Sequence, residues 1–228
     1  MLEINKIHNA DFREVANLIE DNSIDCSIVD PPFSGNSNKT NTGTRLNQNN
    51  GNYIDYDDMS ERIFLKFMEP IFKDIYKKLK IGSHIYCFTD WKQLRNLMDL
   101  MEMCSFKLCN LITWDKKHFG MGKGYRQQSE FIIVASKGIN KAFNLLNVGT
   151  VISSARLHKK SHPHEKPDDL IETLILNSTI EHDTVLDPFS GSGVVAAVCK
   201  KNKRNFIATE INKEFAELAN SRVSNIIL

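Results

Sequence analysis

Apolar residues recur along this chain at two spacings. Short runs rich in β-branched and apolar residues, such as Ile-Asp-Cys-Ser-Ile-Val at 24–29 and Thr-Val-Leu-Asp at 184–187, fit buried strands. Longer segments place apolar residues three and four apart, as amphipathic helices do. The clearest runs through Ile63, Phe64, Phe67, Met68, Ile71, Phe72, Ile75 and Leu79, and it predicts a helix over 59–80, kinked or broken at Pro70. Further strands are expected near 3–8, 83–89, 107–114, 130–135 and 205–209. Further helices are expected near 11–20, 91–103, 168–179, 192–202 and 212–225. Strands alternating with helices imply a mostly parallel, Rossmann-like doubly wound α/β sheet. It would have seven strands, one of them antiparallel in a hairpin closed by the glycines of GMGKG at 120–124.

Residues 34–58 follow neither rhythm. They are rich in Asn, Gly and Thr, and a segment this poor in apolar residues cannot bury itself. Its length inside one domain marks it as a functional lid or a floppy insertion, with equal weight on each.

The 228 residues suit one domain over 1–228. Net charge is +1, from 29 basic and 28 acidic residues, which excludes a uniformly basic nucleic-acid binder and leaves room for local patches. No apolar run approaches a membrane span, and the N-terminus lacks a secretory pattern. Five cysteines without a CxxC pair read as reduced core thiols, so a cytoplasmic location is expected.

Two strands end on acidic corners. The first is Asp30-Pro31-Pro32-Phe33 and the second is Asp187-Pro188-Phe189-Ser190-Gly191-Ser192-Gly193. The glycine loop, with Glu210 after the next strand, fits the loose fingerprint of nucleoside-containing cofactors. It does not choose among them. Asp187 would repel a pyrophosphate, whereas it suits a cofactor with a cationic centre and an amino-acid end, such as S-adenosylmethionine. At the other corner, the prolines leave carbonyls free to accept. A carboxylate and a neighbouring carbonyl can together take both hydrogens of an exocyclic amine. Phe33 offers a face to a base, which must leave a duplex to reach it.

Together these stretches resemble the catalytic and cofactor motifs of the DNA amino-methyltransferases, and His162-Pro163-His164-Glu165-Lys166-Pro167 resembles their H-P-x-x-K-P motif. The catalytic motif comes first and the cofactor motif last, the permuted order of the beta group. The resemblance extends to Asn9-Ala10-Asp11, Trp114-Asp115-Lys116 and Glu130-Phe131-Ile132-Ile133. It implies a circularly permuted class I methyltransferase fold, with S-adenosyl-L-methionine as cofactor and double-stranded DNA as partner. A cognate restriction endonuclease and a homodimer are further expectations of the family. By the same resemblance, Asp30, Pro31, Pro32 and Phe33 are catalytic. Asp187, Pro188, Phe189, Ser190, Gly191, Ser192 and Gly193 cradle the methionine part. Glu210 binds the ribose, Asp11 approaches the adenine, and Lys166 lies near the cofactor carboxylate. An initial Asp points to the adenine-N6 subgroup. Cytosine-N4 methylation is the neighbouring alternative; a nicotinamide-dependent oxidoreductase and a non-catalytic DNA-binding module are more distant ones. The chain departs from the family pattern at Phe33 for Tyr, His164 for Thr, and Val194-Val195 for Thr-Thr.

Two basic runs are candidate DNA contacts: Lys116, Lys117, Lys123 and Arg126 near 115–126, and Arg156, Lys159 and Lys160 near 153–166. A solvated surface is the blander reading of each. His158, His162, His164 and Glu165 match no standard zinc spacing, so no metal is expected. Trp91 and Trp114 read as core or interface residues.

Overall fold

The computed structural model describes residues 2–32, 60–121, 123–155 and 165–226. In chain order the elements are β1 (Lys6–Asn9), α1 (Phe12–Val15), a 3-10 turn (Ala16–Leu18), β2 (Ile24–Val29), α2 (Glu61–Lys78), β3 (Leu79–Thr89), α3 (Leu94–Met103), β4 (Phe106–Asp115) and β5 (Ser129–Lys137). They continue with β6 (Val151–Ser153), α4 (Asp168–Ser178), β7 (Thr184–Asp187), α5 (Val194–Lys201), β8 (Asn205–Glu210) and α6 (Lys213–Ser224).

The strands form one sheet in the order β1-β8-β7-β2-β3-β5-β4-β6. Strand β5 runs antiparallel to both neighbours, β3 and β4, and every other pair is parallel. This is the class I methyltransferase-like architecture. The sheet has eight strands, one more than the seven expected. The additional strand, β6, has three residues and no buried position, so it carries no hydrophobic alternation to read.

Helices cover both faces. One core layer joins Leu170, Leu174, Val198, Ala219 and Val223 of α4, α5 and α6 to Cys26 and Ile28 of β2. The other joins Phe64, Phe72, Leu97 and Met101 of α2 and α3 to Ile24 and Val29. Ile24 packs in the layer opposite Cys26 and Ile28, and the β2–β3 register is irregular at this point, shifting between Ile24 and Cys26. Covered on both faces, β2 is buried throughout, as its near-continuous apolar run suggests.

Helix α2 continues through Pro70 unbroken. Proline inside a helix costs about 3 kcal/mol. Here its ring is exposed, while Phe64, Met68, Ile71, Phe72 and Ile75 bury the opposite face, worth roughly 1.5–3 kcal/mol per side chain. Ile63, counted with that face, is exposed. Leu79 opens β3 rather than ending the helix, so helix passes to strand without a loop. Among the described residues, no helix is long and apolar enough to cross a membrane.

Candidate active site

Asp30 follows β2 and Asp187 ends β7. These strands are parallel neighbours, with Ser27 opposite Leu186, so the two acidic corners share the carboxyl edge of the sheet. Ligands of open α/β sheets bind beyond that edge. Next along the edge is β8, ending on Glu210, which is opposite Asn9 of β1.

The loop after β7 is held from β8. Ser190 donates its amide to the Thr209 carbonyl at 2.9 Å, and the Thr209 hydroxyl donates to the Pro188 carbonyl at 2.8 Å. Glu210 accepts the Gly191 amide on one oxygen and the Asn212 amide on the other, each at 2.8 Å. Gly191 and Gly193 both have positive φ, +48° and +75°. At Gly193 the demand comes from packing. A Cβ there would meet the Ala219 Cβ of α6 at 2.8 Å, so this glycine lets α5 start close against α6.

The loop brings together two carboxyl groups that burial disfavours in their charged form. Asp187 is buried, and its one amide bond, from Phe189 at 3.1 Å, only partly compensates. Burial, with the nearby charges of Asp30 and Glu210, pushes its pKa up to about 8. Burial also raises Glu210, against the bonds from the Asn212 and Gly191 amides. The Ser190 hydroxyl is buried with no hydrogen-bond partner among the described residues. Asp11 caps α1 just after β1 and is paired with Arg13. Burial works against its charge, but the Arg13 bonds outweigh it and hold the carboxyl below its usual range. The Arg13 guanidinium lies 4.7 Å from the Phe67 ring centre, and Phe67 packs against Phe189 at 6.2 Å, so a cation–aromatic stack ties α1 and α2 to the loop.

At the other corner, Lys166 donates to both oxygens of Asp30, at 2.8 and 2.7 Å. Its ammonium lies 5.0 Å from the centre of the Phe88 ring of β3 and 3.6 Å from Glu130 Oε2 of β5. Lys116 holds the other oxygen of Glu130 at 3.0 Å. Burial alone would lower the Lys166 pKa, but Asp30 and Glu130 outweigh it and the net shift is upward. The lysine expected beside the cofactor carboxylate is thus bound to Asp30. Its neighbour Glu165, also buried, accepts from Arg222 of α6 at 2.6 Å, and the same guanidinium reaches Asp168 at 2.9 Å.

The pattern of the DNA methylase family (N6_N4_Mtase) matches residues 24–221. The chain belongs to this family. It is 30% identical to the type II methyltransferase M.HpaI of Haemophilus parainfluenzae, over 91% of this chain and 70% of that one. Among solved structures, the M1.HpyAVI–SAM complex superposes with a TM-score of 0.70 at 24% identity, covering 95% of this chain and 98% of that one. The cytosine-N4-specific PvuII DNA methyltransferase gives 0.74 at 17% identity, covering 97% and 89%. At these identities the structural matches show the fold.

For a DNA methylase, the β4–β5 hairpin is the prominent exposed feature near the carboxyl edge. Lys117, Lys123 and Arg126 are exposed there, as are Phe119, Met121 and Tyr125, and Arg126 lies 3.6 Å from the centre of the Phe119 ring. Lys116 differs, being mostly buried against Glu130. Phe33, the 34–58 segment, Arg156, Lys159, Lys160 and the three histidines at 158, 162 and 164 lie outside the described residues. Trp114 is a core residue, and its indole donates to the Ser154 carbonyl at 2.8 Å. Trp91, just after β3, is exposed and so is not a core residue. Sequence reasoning missed the roles of Glu130 and Arg222 in this site. Glu130 stands in a recognisable motif, but nothing in its spacing reveals Lys166 as its neighbour.

Proposed function

We propose that this methylase transfers a methyl group from S-adenosyl-L-methionine to the N6 amine of adenine in duplex DNA. One observation carries the reading: Asp30 and Asp187 end adjacent parallel strands, so an amine-binding corner and a cofactor-binding loop border one cleft. When bound, the cofactor supplies an electrophilic methyl group on a sulfonium. The chain's residues fit it. Asp187 and Glu210 give the loop carboxyl groups that can meet a cation once ionised, and the Ser190 hydroxyl is available to a polar tail. A pyrophosphate would suit those groups poorly, which disfavours a nicotinamide cofactor. Lys166 belongs to the amine-binding corner through Asp30.

In this reading Asp30 and the Pro31 carbonyl accept the two N–H groups of the amine, and Phe33 stacks on the flipped base. Fixed acceptors hold the amine in line and stabilise the positive charge that develops on it. Aromatic stacking contributes roughly 1–3 kcal/mol per base. The exposed hairpin lysines and Arg126 meet phosphates, which set position rather than sequence.

Adenine is preferred because the corner begins with Asp30, as in the adenine-N6 subgroup. The fold shared with the cytosine-N4-specific PvuII enzyme motivates the second reading, N4 of cytosine. Mass spectrometry of nucleosides from DNA incubated with labelled S-adenosylmethionine tests both. N6-methyladenine from the wild type, absent with Asp30→Ala, is the expected result. N4-methylcytosine moves the target base, and no labelled base on any unmethylated duplex overturns the proposal.

A further inference from the structure

Lys166 stands between two carboxylates. It holds both oxygens of Asp30 at 2.7–2.8 Å and lies 3.6 Å from Glu130 Oε2, a short shift from hydrogen-bond distance. Asp30 follows β2 and Glu130 lies in β5, the two strands that flank β3, and the ammonium stands between them over the ring of Phe88 of β3. At that distance the aromatic face also stabilises the cation. Glu130 is itself steadied by Lys116 on its other oxygen at 3.0 Å.

This arrangement meets a problem set by the chemistry. Attack by an exocyclic amine places positive charge on its nitrogen, and the nearby acceptor must offer net negative charge. Asp30 with Lys166 on both oxygens is a neutral pair. Its field at the amine is much weaker than that of a lone carboxylate, and a cation next to the reacting nitrogen opposes the transition state. A lysine ammonium sits on a flexible stem with three rotatable donors, so it can change partners without backbone movement.

We propose that Glu130 is a positioning residue for methyl transfer, the carboxylate that draws Lys166 from Asp30 as the target amine docks. The inference rests on the reading that Asp30 receives the amine. Glu130 acts through Lys166 and contacts neither base nor cofactor. Transfer itself breaks the carbon–sulfur bond and forms the carbon–nitrogen bond. The amine proton leaves afterwards to water or Asp30.

The test compares wild type, Glu130→Gln, Glu130→Asp and Asp30→Ala on an unmethylated duplex. Single-turnover transfer, affinities for S-adenosylmethionine and for DNA, and thermal unfolding are all measured. Glu130→Gln keeps the shape and removes the charge. It is expected to slow the transfer step about tenfold or more while both affinities stay within about twofold and the protein remains folded. Glu130→Asp keeps the charge on a shorter arm and should fall between wild type and Gln. The inference is overturned if Gln transfers at the wild-type rate. It is equally overturned if its loss of rate only follows a loss of binding or of folded protein, or if Asp is as slow as Gln. Activity retained by Asp30→Ala, or none in the wild type, overturns the underlying reading instead and this inference with it.

Discussion

Arg222, on the last helix, grips Glu165 at 2.6 Å across 57 residues of sequence, and its second nitrogen reaches Asp168 at 2.9 Å. The residue after Glu165 is Lys166, whose ammonium holds Asp30. One guanidinium on α6 therefore fixes the segment that presents a lysine to Asp30. A planar fork serving two carboxylates is a task that lysine performs poorly.

Arg222→Ala should accordingly weaken both fold and activity. Removing one partner of a largely buried ion pair costs about 2 kcal/mol or more, because the remaining carboxylate loses its compensation. For a chain of this size that corresponds to a fall of roughly 4–8 °C in Tm. Arg222→Lys should lie between. Calorimetric unfolding checks the order, and unchanged Tm values for both variants would show that the clamp is ornamental.

Gly193→Ala should be among the most damaging single-methyl additions. The residue has φ +75°, and the new Cβ would sit 2.8 Å from the Ala219 Cβ. Strain at positive φ adds about 1 kcal/mol to an overlap that only movement of α6 can relieve. We expect about 2–4 kcal/mol of destabilisation by chemical denaturation. Ala219→Gly should recover part of it by removing one side of the overlap, and no recovery would place the damage in the backbone conformation alone.

Asp187 should make cofactor affinity depend on pH. With its pKa pushed up to about 8, it is mostly protonated at pH 6–7 and must lose a proton before it can meet a cationic ligand. Affinity for S-adenosylmethionine should therefore rise from pH 6 to 8, and calorimetry in buffers of different ionisation heat should detect proton release. In the ligand-free protein the sign reverses. A folded pKa above the unfolded value of about 4 means that the native state binds more protons between the two, so stability falls as pH rises from about 4 to 8. Asp187→Asn should flatten that slope, raise Tm near pH 8 and lose cofactor affinity. A variant that keeps the slope would clear Asp187 of the effect.

DNA affinity should divide the basic residues of the β4–β5 hairpin. Lys123 and Arg126 are exposed, so replacing both with Ala should lower the slope of log affinity against log salt by about two. The half-buried Lys116 partners Glu130, and its replacement should leave that slope nearly unchanged. Fluorescence anisotropy across a salt series distinguishes the two, and an equal loss of slope for Lys116 would put it on a phosphate as well.

Much of this architecture is written locally in the chain. The 24–29 and 184–187 runs predicted β2 and β7 residue for residue, and five helices stand close to where the apolar spacing put them, whereas the helix expected over 11–20 is one turn, Phe12–Val15, followed by a 3-10 turn. That legibility is physical: each element must bury a face, and the spacing of its apolar residues records which one. Elements without such a record escaped. β6 has only three residues, and none is buried. Pro70 looked like a break because a local rule cannot weigh the core contacts of the turns around it.

By itself the sequence determined the doubly wound class, the two acidic corners, the glycine loop and the motif order that marks the family. Tertiary structure alone decided that β2 and β7 lie side by side, that Gly193 answers to Ala219, and that Lys166 spans from Asp30 toward Glu130. The difference follows from range. Backbone periodicity is set by neighbours within a few positions, whereas a charge finds its partner only after the sheet has ordered its strands, and no local spacing encodes that order.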